Sequence, residues 1–400
     1  MDTPIARRDF VKGMTVAAAA TLLDVGTARA ASTGPTAKKL PRWRGFNLLE
    51  KFIAAMANAP FREEDFALIA EWGFNFVRLP LSYHCWSDPH DWRQIREPVM
   101  KEIDEAVALG RRYGVHVCLN FHRAPGYSVD RSVQEPFNLW TDGEALEACG
   151  YHWRHFAARY KDVPNSALSF DLLNEPGMVT EQRMLDDATY FRVAKALVEG
   201  IRAESPERLI IADGLSWGRI PSPMLAPLGI AQSTRGYEPM EVSHWKAEWI
   251  PGSDQWPAPT WPLHATPART AGDRQQLAQL KQVFKDNPIV QAWADDTTLG
   301  ADWNRERIRH QLIRPWQQLE AMGVGVHVGE WGAHHFTPHA VALGWMRDLL
   351  AEWRAAGWGW ALWNFRGSFG VLDSERRDVA YEGFRGHQLD RAMLETLRAG

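Results

Sequence analysis

Short apolar runs alternate with longer amphipathic stretches along the chain from Trp43 to Leu397. The short runs are rich in β-branched and aromatic residues, which is typical of buried strands. Eight strands are predicted, at Trp43–Leu49, Phe74–Ser82, Val115–His122, Ala167–Asn174, Arg208–Gly214, Glu241–Trp245, Val324–Glu330 and Gly357–Phe365. The stretches between them repeat apolar residues every three or four positions. They predict helices at Arg62–Trp72, Val99–Tyr113, Glu144–Tyr160, Glu181–Glu204, Arg305–Met322, Ala340–Ala356 and Gln388–Leu397.

The regular alternation of strand and helix predicts an α/β fold. Eight strand–helix units favour a single (β/α)₈ TIM barrel over residues 43–400, with its site at the C-terminal ends of the strands. The alternative is an open doubly wound sheet, which usually carries a glycine-rich phosphate loop after its first strand. Here Leu49-Glu50-Lys51-Phe52 follows the first strand, so the barrel is the preferred interpretation.

One connection is much longer than a simple strand-to-helix loop. Residues 246–302 follow the predicted sixth strand and are rich in Trp and Pro, with one predicted helix at Asp273–Lys285. Loops of this length in a single domain are usually functional. We expect this insertion to form a wall or lid over one end of a cleft, and the alternative is a packing embellishment that touches no substrate.

Residues 1–30 have the features of an export signal. Arg7-Arg8 precedes a short apolar run, Met14–Leu23, and Ala28-Arg29-Ala30 resembles a cleavage site. The paired arginines resemble a twin-arginine signal, and an ordinary secretion signal is the alternative. The run is too short to remain as a membrane anchor. We therefore expect a periplasmic or extracellular protein in which residues 31–42 form a flexible lead.

The composition narrows the classes of partner. A formal net charge of −4 without a run of Lys or Arg argues against a nucleic-acid-binding protein. The 20 tryptophans are unusual, and flat aromatic faces can stack on sugar rings. Cys85, Cys118 and Cys149 fit no zinc motif and are interpreted as small core residues. His334-His335 lacks the spacing of a metal motif, so neither a metal nor a cofactor is predicted.

Polar residues gather at the predicted ends of the strands, while the strand bodies are apolar. The residues at these ends are Arg78, His122, Asn174, Glu175, His244, Glu330 and Trp363. The ends of the strands of a barrel meet at one face, so Glu175 and Glu330 are expected to lie close together. Two carboxyl groups at one site are what hydrolysis of a glycosidic bond requires.

With these residues in register, the sequence resembles glycoside hydrolase family 5, a family of retaining (β/α)₈ glycosidases related to cellulases. The resemblance extends over essentially all of Trp43–Arg398 and includes the tripeptide Asn174-Glu175-Pro176. It implies that Glu175 is the general acid/base and Glu330 the nucleophile. In such enzymes the two carboxyl groups are about 5–5.5 Å apart.

The same resemblance implies supporting roles for five more residues. Arg78 would keep the nucleophile ionised through its charge. Asn174 would bind the sugar 2-hydroxyl. His122 and His244 would line the catalytic subsite, and Trp363 would lie under the sugar ring there.

One position departs from the family pattern. The family usually places a tyrosine two residues after the histidine of strand six, where it hydrogen-bonds the nucleophile. That position is Lys246 here, directly after Trp245. Either another residue takes the place of the tyrosine, with Lys246 as a candidate that would act on the nucleophile through its charge, or the local register of strand six differs.

Four further aromatic residues are candidates for additional sugar subsites. They are Trp86, Tyr127, Trp140 and Trp331, which lie in or next to predicted strand-end loops. As a set they are typical of an aromatic-lined cleft, and core packing is the alternative for each one.

The predicted function is a secreted retaining β-glycoside hydrolase that acts on a β-linked oligo- or polysaccharide by double displacement. The resemblance favours an endo-β-1,4-glucanase-like activity. An exo-acting glycosidase is an alternative because the insertion could close one end of the cleft, and mannan, xylan or β-1,3-glucan substrates remain open since loops set specificity. A non-catalytic glycan-binding barrel and a metal-dependent barrel hydrolase are alternatives from other classes.

Overall fold

A computed structural model of the chain describes residues 34–130, 134–293 and 300–400. The predicted signal, residues 1–30, therefore lies outside the described residues. Within the described ranges, eight parallel strands close into a barrel with helices around it. This is the (β/α)₈ TIM barrel that the sequence predicts.

Each strand of the barrel pairs with the next, and the last pairs with the first. The strands are β1 Arg44–Asn47, β2 Phe76–Ser82, β3 His116–Ala124, β4 Leu168–Asp171, β5 Ile210–Asp213, β6 Ala231–Gly236, β7 Val326–Trp331 and β8 Trp360–Leu362. Strand β1 closes the barrel by pairing in parallel with both β2 and β8. All residues of β2 and β3 are buried, as expected for parallel strands that helices cover from outside.

Helices follow most of the strands and cover the outside of the barrel. They are α1 Glu63–Glu71, α2 Glu97–Tyr113, α3 Gly143–Arg159, α4 Asp187–Glu204, α5 Met240–Ser243, α6 Pro267–Val283, α7 Pro288–Ala292, α8 Arg305–Ile308, α9 Arg314–Glu320, α10 His339–Ala356 and α11 Arg391–Ala399. A π-helical turn, Arg309–Ile313, joins α8 to α9. Gly114 and Gly357 end α2 and α10 with φ of 67° and 79°, a left-handed conformation that favours glycine.

The predicted sixth strand, Glu241–Trp245, is wrong. The structure has the short helix α5 at that place, and the sixth strand is β6, about ten residues earlier. The sequence of β6 is AQSTRG, and all six residues are buried. Its polar side chains are satisfied inside the protein: Gln232 accepts from the Ser222 backbone N at 3.0 Å and donates to the Ser222 O at 2.7 Å. An apolar pattern cannot identify a strand whose buried side chains are polar.

The insertion reaches two different parts of the molecule. Trp261 donates from Nε1 to Asp348 of α10 at 2.9 Å, so this part packs against an outer helix. Trp249 lies instead at the strand-end face, 55% exposed, with its ring 5.1 Å from that of His334. A wall or lid formed by residues 246–302 stays a prediction.

The polar lead before β1 is held against the barrel from Thr36 onward. Thr36 and Lys39 exchange backbone hydrogen bonds of 3.2 and 3.0 Å, and the Ala37 O accepts from the Gly325 N at 2.7 Å. The expectation of a flexible lead over residues 31–42 is therefore wrong for Thr36–Lys39. The backbone bonds to the chain before β7 supply the order that a polar composition did not suggest.

The three cysteines are buried and unpaired, as predicted for small core residues. In the described part of the chain, none of the helices has both the length and the apolar content needed to cross a bilayer.

Candidate active site

Glu175 lies just beyond the end of β4, with its backbone fixed on both sides. Its N–H donates to Asp213 Oδ2 at 2.9 Å, and its carbonyl accepts from the Tyr127 hydroxyl at 2.6 Å. Its φ is 49°, a conformation rare outside glycine that these bonds hold in place. The side chain is 15% exposed, and its Oε1 accepts from Arg235 Nε at 3.0 Å. The carboxyl group is therefore oriented but still partly exposed.

Glu330 lies near the end of β7 and is held at both carboxyl oxygens. Its Oε1 accepts from Arg78 Nη1 at 2.6 Å and from Arg235 Nη2 at 3.3 Å. Its Oε2 accepts from the Tyr237 hydroxyl at 3.2 Å. Two guanidinium groups and a phenol thus donate to it, and together they fix the position of both carboxyl oxygens.

The two arginines belong to a buried ionic network beneath the glutamates. Arg78 donates from Nε to Asp171 at 2.8 Å, and Arg235 forms a two-point ion pair with Asp213. Asn174 Oδ1 accepts from both, from Arg78 at 2.9 Å and from Arg235 at 3.0 Å. Four carboxyl groups share two guanidinium groups here, so full ionisation of all four would leave negative charge uncompensated in a buried site.

The surroundings within the network shift the pKa values of its acidic groups by different causes. Burial raises the pKa of Glu175 above its usual range, and the charge of Glu330 raises it further, against the opposing effect of Arg235. Burial also raises the pKa of Asp171, with the charge of Asp213 as the next cause. Burial and Glu330 raise the pKa of Tyr237 far above its usual range, so its hydroxyl keeps a proton to donate. A raised pKa lets Glu175 keep a proton that it can donate, which is what an acid that assists an attack by the neighbouring carboxyl group needs.

An aromatic wall borders the nucleophile on the side of β3 and β8. His122 Nδ1 is 4.0 Å from Glu330 Oε1, and burial lowers its pKa well below the usual range, which keeps the ring neutral. The His122 ring stacks on Trp363 with centroids 5.4 Å apart at 15°. Trp363 is partly exposed, and its ring also meets Phe52. The structure thus brings His122 to Glu330, with Trp363 stacked on the His122 ring.

The tyrosine that the family pattern requires is Tyr237, directly after β6. The register of strand six differs from the predicted one, which was one of the two alternatives, and the interpretation of Lys246 as a replacement for the tyrosine is wrong. Lys246 is exposed, and its Nζ lies 4.4 Å from the centre of the Trp245 ring. His244 does reach this region: its ring is 4.8 Å from that of Tyr237, and its Nδ1 is 2.8 Å from Ser243 Oγ.

Two of the predicted aromatic subsites are wrong. Trp86 and Trp331 have no exposed surface. The Trp86 ring packs against Phe156 with centroids 5.3 Å apart, and Trp331 packs edge-on against Trp353 at 4.8 Å. Both side chains belong to the core between barrel and helices, so neither can stack on a sugar.

Tyr127 and Trp140 line a cavity of about 240 Å³, and Tyr127 connects this cavity to the site through its bond to the Glu175 carbonyl. The two rings meet edge-on at 4.9 Å, and each has little exposed surface. Trp217, which follows β5, lines the same cavity and is 37% exposed. A cavity with these aromatic walls suits part of a sugar chain on the Glu175 side.

Several site residues were missed from the sequence: Asp171, Asp213, Trp217, Arg235 and Tyr237. For Asp171 and Asp213 a signal existed, because each is the acidic residue that ends an apolar strand. Arg235 and Tyr237 were hidden by the polar sequence of β6. Among residues 34–130, 134–293 and 300–400, no three His, Cys, Asp or Glu side chains form a group that could hold a metal ion.

Comparisons with known proteins agree with this geometry. The profile of the family described as Cellulase (glycosyl hydrolase family 5) matches residues 33–368. Endoglucanase C of Acetivibrio thermocellus is 24% identical over 326 residues, which cover 80% of this chain and 88% of that protein.

Solved structures give the same picture. A crystal structure described as that of a glycoside hydrolase is 34% identical, with a TM-score of 0.76 over 90% of this chain and 99% of its own. Cel5A of Thermotoga maritima, solved in complex with mannotriose, is 21% identical, with a TM-score of 0.62 over 89% of this chain and 97% of its own. The latter similarity concerns the fold.

Proposed function

Because the chain belongs to glycosyl hydrolase family 5, the cellulase family, we propose that it hydrolyses a β-linked glucan with Glu175 as general acid/base and Glu330 as nucleophile. One observation carries this assignment of roles. The carboxyl groups of Glu175 and Glu330 both accept hydrogen bonds from the guanidinium group of Arg235, but their other surroundings differ. Glu330 accepts from two cations and a phenol. Glu175 is buried beside a like charge, which favours its protonated form.

In the first step Glu330 attacks the anomeric carbon while Glu175 gives its proton to the departing glycosidic oxygen. A glycosyl ester forms on Glu330. The bond from Arg78 and that from Tyr237 orient the two oxygens of Glu330 for this attack. Trp363 offers its partly exposed ring as the surface under the reacting sugar.

In the second step water replaces the ester. Glu330 carries no charge while it is esterified, so one cause of the raised pKa of Glu175 is gone. Glu175 is then the base that takes a proton from water, and the configuration at the anomeric carbon is retained.

Endo-β-1,4-glucanase-like action on glucan is the proposed specificity. Endoglucanase C, the relative described above, aligns over most of both chains, which supports a β-glucan substrate. Substrate choice depends on loops at the strand ends, and the insertion after β6 is such a loop.

A product profile tests this proposal. Wild type would be incubated with β-1,4-glucan, β-1,3-glucan, mannan, xylan and short oligosaccharides, and the products followed over time. A ladder of intermediate oligomers from β-1,4-glucan is expected. Monosaccharide alone from the earliest time point would indicate an exo-acting enzyme, and binding without release of sugar would indicate a glycan-binding barrel.

Glu330→Gln tests the assignment of the nucleophile. Its activity should fall by about 10⁴-fold or more, in the range for loss of a covalent nucleophile. Glu241→Gln is the matched control, because Glu241 lies on α5 and pairs with Arg269 at 2.7 Å, away from the network. The anomeric configuration of the first product, read by NMR in wild type, should be retained; inversion would contradict double displacement.

We also propose that the protein is exported through a twin-arginine signal in residues 1–30. The support is the sequence Arg7-Arg8 before a short apolar run and a small-residue cleavage site. Residues 1–35 fused to a folded reporter should direct it out of the cytoplasm. Replacing both arginines by lysine should retain it inside, whereas unchanged export would point to an ordinary secretion signal.

A further inference from the structure

We propose that Arg235 is a positioning residue that stays paired with the one negative charge of the catalytic centre as this charge moves between Glu330 and Glu175. The proposal deepens the proposed function and rests on it. Its basis is the geometry of a single side chain at the end of β6, buried to all but 2%.

The guanidinium of Arg235 touches both catalytic carboxyl groups. Nε donates to Glu175 Oε1 at 3.0 Å, and Nη2 donates to Glu330 Oε1 at 3.3 Å. Nη2 also donates to Asn174 Oδ1 at 3.0 Å. One planar cation therefore bridges the acid/base, the nucleophile and the amide beside them.

The remaining contacts of Arg235 fix the guanidinium in place. Asp213, which is fully buried at the end of β5, accepts from both Nη1 and Nη2. Nη1 also donates to Ser233 Oγ at 3.1 Å. The aliphatic stem lies against Gly218, where an added Cβ would come within 2.6 Å of Arg235 Cγ. A cation held in this way does not need to reorganise during the reaction.

The charge balance of each step explains why one cation is needed at both glutamates. In glycosylation an electron pair of Glu330 forms the bond to the anomeric carbon, and the glycosidic bond breaks towards its oxygen. That oxygen takes the proton of Glu175, so the negative charge passes from Glu330 to Glu175.

In deglycosylation the transfer reverses. Glu175 takes a proton from water, the water oxygen bonds to the anomeric carbon, and the ester pair returns to Glu330. One negative charge exists throughout, and it is within hydrogen-bond distance of Arg235 at either position.

Arg78 provides the matched comparison. It also donates to Glu330 Oε1, at 2.6 Å, and to Asn174 Oδ1. Its other hydrogen bonds within the described chain go to Asp171 and Asn47. Arg78 thus stabilises the charge only while it is on the nucleophile, whereas Arg235 stabilises it at both ends.

The test compares Arg235→Lys with Arg78→Lys on aryl glycosides with good and poor leaving groups. Lysine keeps the charge but cannot bridge several acceptors with a planar fork. A phenyl glycoside needs the proton of Glu175 and a dinitrophenyl glycoside does not, so only the first reaction ionises Glu175. The loss of kcat/KM in Arg235→Lys should therefore be about 10- to 100-fold larger on the phenyl glycoside, the value of one charge-assisted hydrogen bond to the ionised Glu175. Arg78→Lys should lose the same factor on both.

The pH profile gives a second reading. The charged and titratable groups that face Glu175 are Glu330, Asp213 and Arg235, together with the phenols of Tyr127 and Tyr237. Of these Arg235 lowers the pKa of Glu175, through its charge and through its hydrogen bond. Lysine keeps the charge but loses the bond from the planar fork, so the alkaline limb of kcat/KM should move to higher pH in Arg235→Lys and stay in place in Arg78→Lys.

The result that overturns the proposal is an equal loss on both leaving groups in Arg235→Lys with an unmoved alkaline limb. If this variant does not fold, as judged by thermal melting, Arg235→His is subjected to the same two measurements and judged by the same outcomes. Failure of the proposed function would give a different result, because the Glu330→Gln variant would then keep the activity of the wild type.

Discussion

The ends of β4 and β7 hold their glutamates in opposite ways. At β4 the backbone of Glu175 is fixed by Asp213 and Tyr127, while its carboxyl group accepts one side-chain hydrogen bond within the described chain and is 15% exposed. At β7 the carboxyl group of Glu330 is 5% exposed, and three donors hold its two oxygens. A group that passes a proton keeps one oxygen free towards the cleft, and a group that attacks carbon must be aimed. The same side-chain type thus performs two roles because its surroundings differ.

The largest expected effect that separates the two ends is that of Glu175→Gln. Hydrolysis of a natural glycan should fall by about 10²–10⁴-fold, the usual contribution of general acid–base catalysis. Glycosylation by a dinitrophenyl glycoside should be nearly spared, because that leaving group needs no proton. Burst kinetics measure the two steps separately.

Glu105→Gln is the control for this variant. Glu105 is exposed on α2, outside the barrel and away from the cavity, and its replacement should leave both steps unchanged. An equal loss of both steps in Glu175→Gln would contradict the role of Glu175 as acid and would remove the contrast between the two strand ends.

Most of the strand-end chemistry was predictable because the strand bodies are apolar and the ends are polar. Asn174, Glu175 and Glu330 each follow or end a buried apolar run, and Arg78 is the charged residue within one. The structure joins all four in one network. In a barrel the position of a residue at the end of a strand is nearly sufficient to place its side chain at the site.

Strand β6 shows where this reasoning fails. Its residues are buried because they hydrogen-bond to one another and to the network, and a hydropathy pattern treats such residues as loop. Because the predicted strand was misplaced, Arg235 and Tyr237 were not recognised as site residues, and Lys246 was assigned to the position of the tyrosine. A search for the missing tyrosine upstream of the predicted strand would have found Tyr237.

The tryptophans show a second limit of prediction from the sequence. Trp86 and Trp331 are core residues, whereas Trp217 and Trp249 are 37% and 55% exposed. All four lie in strand-end segments, and tryptophan has no local signature that separates packing from binding. Only the tertiary surroundings decide which faces remain open.

A smaller difference in kcat/KM should distinguish the two tyrosines that bond to the glutamates, Tyr237 at Glu330 and Tyr127 at Glu175. Tyr237→Phe removes a hydrogen bond to a charged group, worth about 1.5–3 kcal/mol. Since the bond is 3.2 Å long, we expect the lower end, a loss of about 10-fold in kcat/KM. Tyr127→Phe removes a neutral bond to the Glu175 carbonyl and should cost about 1 kcal/mol of stability with a smaller change in kcat/KM. The reverse order of the two kcat/KM losses would contradict the view that Glu330 is aimed through its carboxyl and Glu175 through its backbone.

The smallest effect is a shift in one titration curve. Burial and then the charge of Glu330 raise the pKa of Glu175, so the alkaline limb of kcat/KM in wild type should lie well above the pKa of about 4.3 of an ordinary glutamate. Glu330→Gln removes the like charge and leaves the burial in place. The pKa of Glu175, followed by NMR of the labelled carboxyl carbon, should therefore fall in Glu330→Gln but remain above the ordinary value. An unchanged pKa would mean that burial alone sets the acid, and that the two strand ends are not coupled through charge.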